Sequence, residues 1–352
     1  GKAFIIVVLA FATLTLHPLP TFADHETDGG DDDRDQVVLS FSTVGDSRQD
    51  PVKFDQTTSP LSGQDKIWLQ NTKAWSRIMR SIQAQKSDLL FFNGDMIMGY
   101  GKATTPLNAA SVDGVIASDL MKFYRQYGFW RGMVADLMET GTYVVPVPGN
   151  HETQCNDSVS ETKCGNVSGK HAMQENEDAW RQNMGDLIVD DTRFQNLFGE
   201  KPSYEATGDN RNATDGLTTD QTQLSYSFDF RGSHFVVINT DPVGKDAHAP
   251  VKWLADDLAA AQGRGAVHFF VFGHKPAYTY YYGAIAPLPA SPSGLDNDVV
   301  SRDAFWDLIE QYGATYFCGH EHIFHLSQPR ATQGGKAWQI LVGSGGSPFE
   351  AA

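Results

Sequence analysis

Five short, almost wholly apolar runs punctuate the chain, and each gives way to a glycine followed at once by Asp, Asn or His. Val37 to Val44 leads into Gly45-Asp46-Ser47-Arg48, and Asp88 to Phe92 into Asn93-Gly94-Asp95. Tyr143 to Val147 leads into Pro148-Gly149-Asn150-His151-Glu152, Val267 to Phe272 into Gly273-His274-Lys275-Pro276, and Ala314 to Cys318 into Gly319-His320-Glu321-His322. Apolar runs this short and rich in Val and Phe suit strands covered on both faces.

Helical periodicity fills the intervals. Trp68, Trp75, Ile78, Met79 and Ile82 recur at helical spacing over Asp65 to Gln85, as do Leu120, Tyr124, Tyr127, Val134 and Leu137 over Ser118 to Thr140. Shorter helices are predicted over Val251 to Ala261 and Ser301 to Tyr312. These aromatic and Met stripes are core faces. Strands alternating with helices define an α/β fold. Tyr226 to Phe230, then Arg231-Gly232, then His234 to Asn239 predicts an antiparallel pair that makes the sheet mixed. Asn156 to Gly169, Thr207 to Gln221 and Pro287 to Asn297 are polar or rich in Pro and Gly, and are expected to be loops.

The 352 residues suffice for a sizeable core. Lys2, the apolar run Ala3 to Leu16 and the Thr21-Phe22-Ala23 step have the pattern of a secretory leader cut after Ala23. Residues 1–23 are therefore expected to be a signal peptide, and a secreted or periplasmic destination follows. Asp24 to Asp35 carries seven acidic residues in twelve, so residues 24–36 are expected to be a solvated leader, and 37–352 the folded domain. No other run is apolar and long enough for stable membrane insertion. The net charge of −16 and the absence of a basic stripe argue against a nucleic-acid polymer as partner, and no obligatory protein partner is evident. In an exported chain Cys155 and Cys164 are candidates for a disulfide, while Cys318 lies in an apolar run and is expected to be a buried thiol.

Ligands of α/β sheets bind at the carboxyl ends of strands, and all five polar tips sit there. Asp46, Asp95, Asn150, His274, His320 and His322 are thereby offered to one rim. Their carboxylate, amide and imidazole groups form an oxygen and nitrogen donor set suited to Zn, Mn, Fe or Co.

With these blocks the sequence resembles the calcineurin-like metallophosphoesterase superfamily, and within it the purple acid phosphatase branch. Tyr226 to Asp241 is similar to the family's strand-turn-strand, and Val342 to Gly346 to its late glycine-rich stretch. The resemblance implies a four-layer α/β/β/α sandwich, with two mixed β-sheets flanked by helices and two transition-metal ions at the strand ends. It further implies that Asp95 bridges both ions, that Asp46 and His322 serve the first, and that Asn150, His274 and His320 serve the second. His151 is implied beside the phosphate as general acid or transition-state stabiliser, with Glu152 orienting it. The expected reaction is hydrolysis of a small phosphate ester, foremost a monoester, by in-line attack of a metal-bridging hydroxide. A phosphodiesterase acting on cyclic nucleotides or similar diesters is the alternative, and a metal-binding but inactive module a further one.

Two positions depart from the family pattern. Arg48 stands where most members have His, and Met98 where the purple enzymes have Tyr. Water, Ser47 or Tyr100 are the candidates to complete the first site. Arg48 itself is read either as a bidentate clamp on the substrate phosphate or as a surface ion pair. Of the remaining histidines, His268 is expected in the core and His234 in a local hydrogen bond. Tyr278, Tyr280, Tyr281 and Tyr282 are either packing or a pocket floor.

Overall fold

The computed structural model describes residues 5–8, 37–48, 64–104, 111–157, 164–165, 169–280 and 292–347. The first sheet has four parallel strands in the order β1 (Ile5–Val8), β2 (Ser40–Val44), β3 (Leu89–Asn93) and β4 (Tyr143–Val147). β1 thus lies inside the segment read as a leader. A small antiparallel hairpin follows, β5 (Gln154–Asn156) with β6 (Lys170–Ala172). The second sheet comprises β7 (Tyr204–Ala206), β8 (Tyr226–Phe230), β9 (Ser233–Val237), β10 (His268–Phe272), β11 (Thr315–Cys318), β12 (Phe324–Ser327) and β13 (Trp338–Val342). Its spatial order is β12-β13-β11-β10-β9-β8-β7, mixed, with β9, β10, β11 and β13 parallel. The Tyr226–Phe230 and Ser233–Val237 strands pair antiparallel, as their glycine turn predicts.

Alternate side chains decide the layers. Along β10, Phe270 and Phe272 point to the first sheet, where Phe272 stacks on Phe91 with ring centroids 3.7 Å apart. Phe269 and Val271 point the other way, into a second apolar cluster with Leu254, Leu258, Phe305 and Trp306. On β3, Phe91 faces the second sheet, while Phe92 meets Trp75 and Trp130 edge-on. Helices therefore cover both outer faces. Gln64–Gln85 (α1) and Asp119–Glu139 (α3) lie on the first sheet, with the short Val112–Ala117 (α2) preceding α3. Between them and the second outer layer the chain forms Asn150–Thr153 (α4), Gln174–Met184 (α5) and Asp191–Phe198 (α6). Val251–Gly263 (α7) and Val299–Gln311 (α8) lie on the second sheet. This is the four-layer α/β/β/α sandwich that the resemblance implies, with one correction: only the second sheet is mixed, the first being parallel throughout its described strands.

Some expectations need correction. His268, at the exposed start of β10, is half-buried and not a core residue. α5 was hidden by its polar composition: among its eleven residues only Ala179, Trp180 and Met184 are buried apolar ones. Cys155 and Cys164 are bonded to each other and Cys318 is a buried thiol, both as expected. No helix among the described residues is long and apolar enough to cross a membrane. Tyr281, Tyr282 and the acidic leader lie outside the described residues.

Candidate metal centre

All five polar tips meet where the carboxyl ends of β2, β3, β4, β10 and β11 converge. The tight turns this requires leave non-glycine residues in left-handed backbone: Asp46, Arg48, Asp95, Tyr100 and His320 have φ of 66°, 45°, 53°, 62° and 73°. Such conformations are costly for residues with a side chain and cluster at functional sites. Gly149 is required by crowding, since a Cβ there would lie 2.6 Å from Asp95 Oδ1. The late glycine-rich stretch ties the second sheet to the Asp46 turn, with Gly45 N–H donating to Val342 and Gly345 N–H donating to Gly45.

Four ligand atoms form the heart of the site. His274 Nε2 lies 3.1 Å from Asp95 Oδ1 and 2.9 Å from Asn150 Oδ1, and His320 Nδ1 lies 2.9 Å from the same Asn150 oxygen. The two imidazole nitrogens are 3.3 Å apart. Asp95, His274 and His320 form the single His, Cys, Asp and Glu grouping of metal-binding geometry among the described residues. The tautomer of His274 makes the point sharper. Its Nδ1 lies 2.8 Å from the Asn93 carbonyl, which only accepts, so Nδ1 carries the hydrogen. In a neutral ring Nε2 would then aim a lone pair at two oxygen acceptors. Positive charge belongs at this spot, either a metal ion or a second ring proton. Burial resists that proton, but Asp95 outweighs it and lifts the His274 pKa to about 9. The donor set fits a transition-metal ion.

The other half is different. Asp46 accepts the His320 N–H at 3.2 and 3.0 Å, and its Oδ1 lies 3.7 Å from His322 Nε2. Burial, reinforced by the charge of Asp95, holds the Asp46 carboxyl well above its usual range. Arg48 donates from Nε and Nη2 to Asp95 Oδ2, both at 3.2 Å. Asp95 itself resists the effect of burial: the neighbouring His274 and Arg48 cations keep its carboxyl well below the usual range. Among the described residues Asp46 and His322 gather no third His, Cys, Asp or Glu in metal-binding geometry, and the donors offered to complete the site are engaged with other groups. Ser47 Oγ donates to the Met96 carbonyl at 3.0 Å, and the Tyr100 hydroxyl accepts from Asn150 Nδ2.

His151 sits on the Arg48 side, its Nε2 3.6 Å from Asp95 Oδ2. Its ring is oriented by the Met98 carbonyl, 2.6 Å from Nδ1, and not by Glu152 as expected. Burial, aided by Arg48, keeps this imidazole well below its ordinary pKa and hence neutral. Glu152 instead gathers backbone: its carboxylate accepts N–H groups of Gly149, Asp95, Met96 and Ile97 at 2.8, 2.9, 2.9 and 3.1 Å. It thereby fixes the turn that presents Asp95. Burial, helped by Asp95, pushes its pKa up to about 7.

Sequence reasoning missed two neighbours, Lys170 and Lys275, and offered Tyr100 as a ligand of the first site and not as packing for His151. Tyr100 packs on His151 with ring centroids 3.8 Å apart, and Lys170 lies 4.7 Å over the Tyr100 ring. Lys275, next to His274, is buried and paired with Asp241 at 2.6 Å. For Lys275 the Gly273-His274-Lys275-Pro276 block was a visible cue. Lys170 had none, since its place depends on the hairpin that the Cys155–Cys164 bridge closes.

A four-layer α/β/β/α sandwich with Asp, Asn and His gathered at its strand ends defines a class of metal-binding hydrolase scaffolds. A sequence model of the family "calcineurin-like phosphoesterase" matches residues 68–324, and the chain belongs to that family. Among solved structures the chain is similar to a purple acid phosphatase from yellow lupin (Lupinus luteus) seeds, at 12% identity and TM-score 0.49, covering 88% of this chain and 44% of that one. It is similar also to PhoD, at 14% identity and TM-score 0.49, covering 88% and 57%. A dimetal phosphatase from Danio rerio follows, at 11% identity and TM-score 0.41, covering 87% and 88%. The chain thus spans about half the length of the first two. No curated protein matches the sequence.

Proposed function

We propose that this chain is a metal-dependent hydrolase of small phosphate esters, acting foremost on monoesters. The observation that carries the reading is the convergence of Asp95, Asn150, His274 and His320 on one spot, with His151 and Arg48 on the adjoining side. Asp95 Oδ1, Asn150 Oδ1, His274 Nε2 and His320 Nδ1 would hold the ion. When bound, a transition-metal ion supplies Lewis acidity to a phosphoryl oxygen and lowers the pKa of a water.

The protein's own residues supply the rest. Glu152 holds the Asp95 turn in place, and Asn93 and Met98 fix the tautomers of His274 and His151. With Nδ1–H of His151 engaged, Nε2 is the atom that would take a proton from solvent once the ester is bound and pass it to the departing alkoxide. A bound phosphate dianion provides the negative field that favours that proton. Arg48 orients the ester through donors beyond those bonded to Asp95, its side chain being 19% exposed. Arg48 and Lys170 favour the doubly charged monoester over a singly charged diester.

Export belongs to the same reading. It is supported by the leader-like N-terminus and by the Cys155–Cys164 bridge, a bond kept in oxidising compartments. Cleavage after Ala23 would remove β1 and leave β2 at the sheet edge. The partner is the small ester alone, not a nucleic-acid polymer or a bilayer.

The test is turnover of matched phosphomonoesters and diesters by the purified chain with Zn, Mn, Fe and Co in turn. Metal-dependent hydrolysis, faster on monoesters, is expected, and Asn150→Ala and His320→Ala should abolish it. Preference for diesters would replace the substrate assignment. Metal uptake without turnover on any ester would make the chain a binding module.

A further inference from the structure

We propose that this chain binds a single transition-metal ion and that the Arg48 guanidinium stands where a second ion would sit. The inference rests on the metal-dependent reading above and departs from the two-ion expectation drawn from the sequence.

A carboxylate that bridges two ions needs both oxygens. Asp95 turns Oδ1 to His274, but its Oδ2 receives two N–H donors from Arg48 at 3.2 Å. A guanidinium has no lone pair to offer a metal and does not deprotonate in proteins, so no ordinary pH frees that oxygen. The backbone fixes the arrangement too. Arg48 N–H donates to the Asp95 carbonyl at 2.8 Å and Asp46 N–H to the Gly94 carbonyl at 3.0 Å, with both residues in left-handed backbone. Strained residues persist only where their surroundings over-determine them, and here the strained turn delivers the guanidinium.

What remains is half a site. Asp46 and His322 have no third His, Cys, Asp or Glu in metal-binding geometry with them among the described residues. Ser47 and Tyr100 are turned to Met96 and Asn150. Paired ions in two-metal sites lie about 3.5–4 Å apart. An ion at that distance from the first, on the Oδ2 side, would lie against a permanent cation in a buried setting where repulsion is weakly screened. Arg48 therefore does two tasks: it balances Asp95 and presents its other N–H groups to the ester.

The experiment loads the full chain with Mn(II), removes loosely held metal, and reads bound ions per chain by elemental analysis and their coupling by electron paramagnetic resonance. One ion per chain with the resolved hyperfine pattern of isolated Mn(II) is expected. R48H should take up a second ion and show an exchange-coupled spectrum. His322→Ala should still hold one, which keeps the test decisive if R48H does not fold. Two coupled ions in the native chain, or loss of the ion from His322→Ala, would overturn the inference while leaving the phosphoesterase reading intact. A native chain that binds no Mn(II), Zn(II), Fe(II) or Co(II) would overturn both.

Discussion

His151 and His234 are both buried, yet their surroundings favour the neutral form of the first and the protonated form of the second. His151 faces the Arg48 cation with its Nδ1–H fixed by Met98, and is neutral in the free chain. General acid–base groups typically contribute about 10²–10⁴-fold, so His151→Ala should lower kcat by that range while metal content is unchanged. An equal loss of metal would make His151 a ligand instead. His234 lies between two carboxylates, with Nδ1 2.6 Å from Asp229 and Nε2 2.9 Å from Asp257. Burial opposes its charge, but Asp229 and Asp257 win and raise its pKa above the ordinary 6.5. The folded state therefore holds the proton more tightly than the unfolded one. The stabilisation is complete below about pH 6.5 and fades as pH rises through the folded pKa. The melting-temperature gap between the native chain and His234→Gln should narrow as pH rises above about 6.5. A widening gap would contradict the pairing. From sequence only the local half was legible: Asp229 sits opposite His234 in the hairpin, whereas Asp257 comes from α7.

At the scale of elements, the turn from β4 into α4 does the most with the fewest residues. Asn150 reaches the metal centre, His151 the reacting side, and Glu152 the backbone of the neighbouring turn. Removing Glu152 strands four buried N–H donors, and each unsatisfied group costs about 1–3 kcal/mol. Glu152→Ala should lower stability by more than about 3 kcal/mol and weaken metal binding, read by denaturant unfolding and metal titration. Unchanged metal affinity would show that the Asp95 turn holds without it. The tips were legible in the sequence because an apolar run broken by glycine and a ligand residue is a local pattern. The hairpin of β5 and β6 was not, because three-residue strands closed by a disulfide loop carry no periodicity. Nor was the task of Glu152, which depends on a turn more than fifty residues away in sequence.

The whole molecule is organised around the phenylalanine layer between the sheets. Phe91 stacks on Phe272, Phe235 and Phe228, and Phe41 meets Phe235, Phe270, Phe272 and Phe317 edge-on. Phe91→Ala should cost about 3–5 kcal/mol, read as a lower denaturation midpoint at unchanged slope. A cost below about 1 kcal/mol would mean the sheets repack freely. The α/β class was legible from the strand and helix patterns. Continuous apolar runs say that both faces are covered, but not whether by helix or by sheet, so the sandwich came only through family resemblance. This layer brings β3 and β10 together, and with them Asp95 and His274. The most direct test is diffraction from a metal-soaked crystal at the absorption edge of the soaked ion. An anomalous peak bounded by Asp95, Asn150, His274 and His320 is the predicted result; no peak there, or one held by other side chains, would contradict the account.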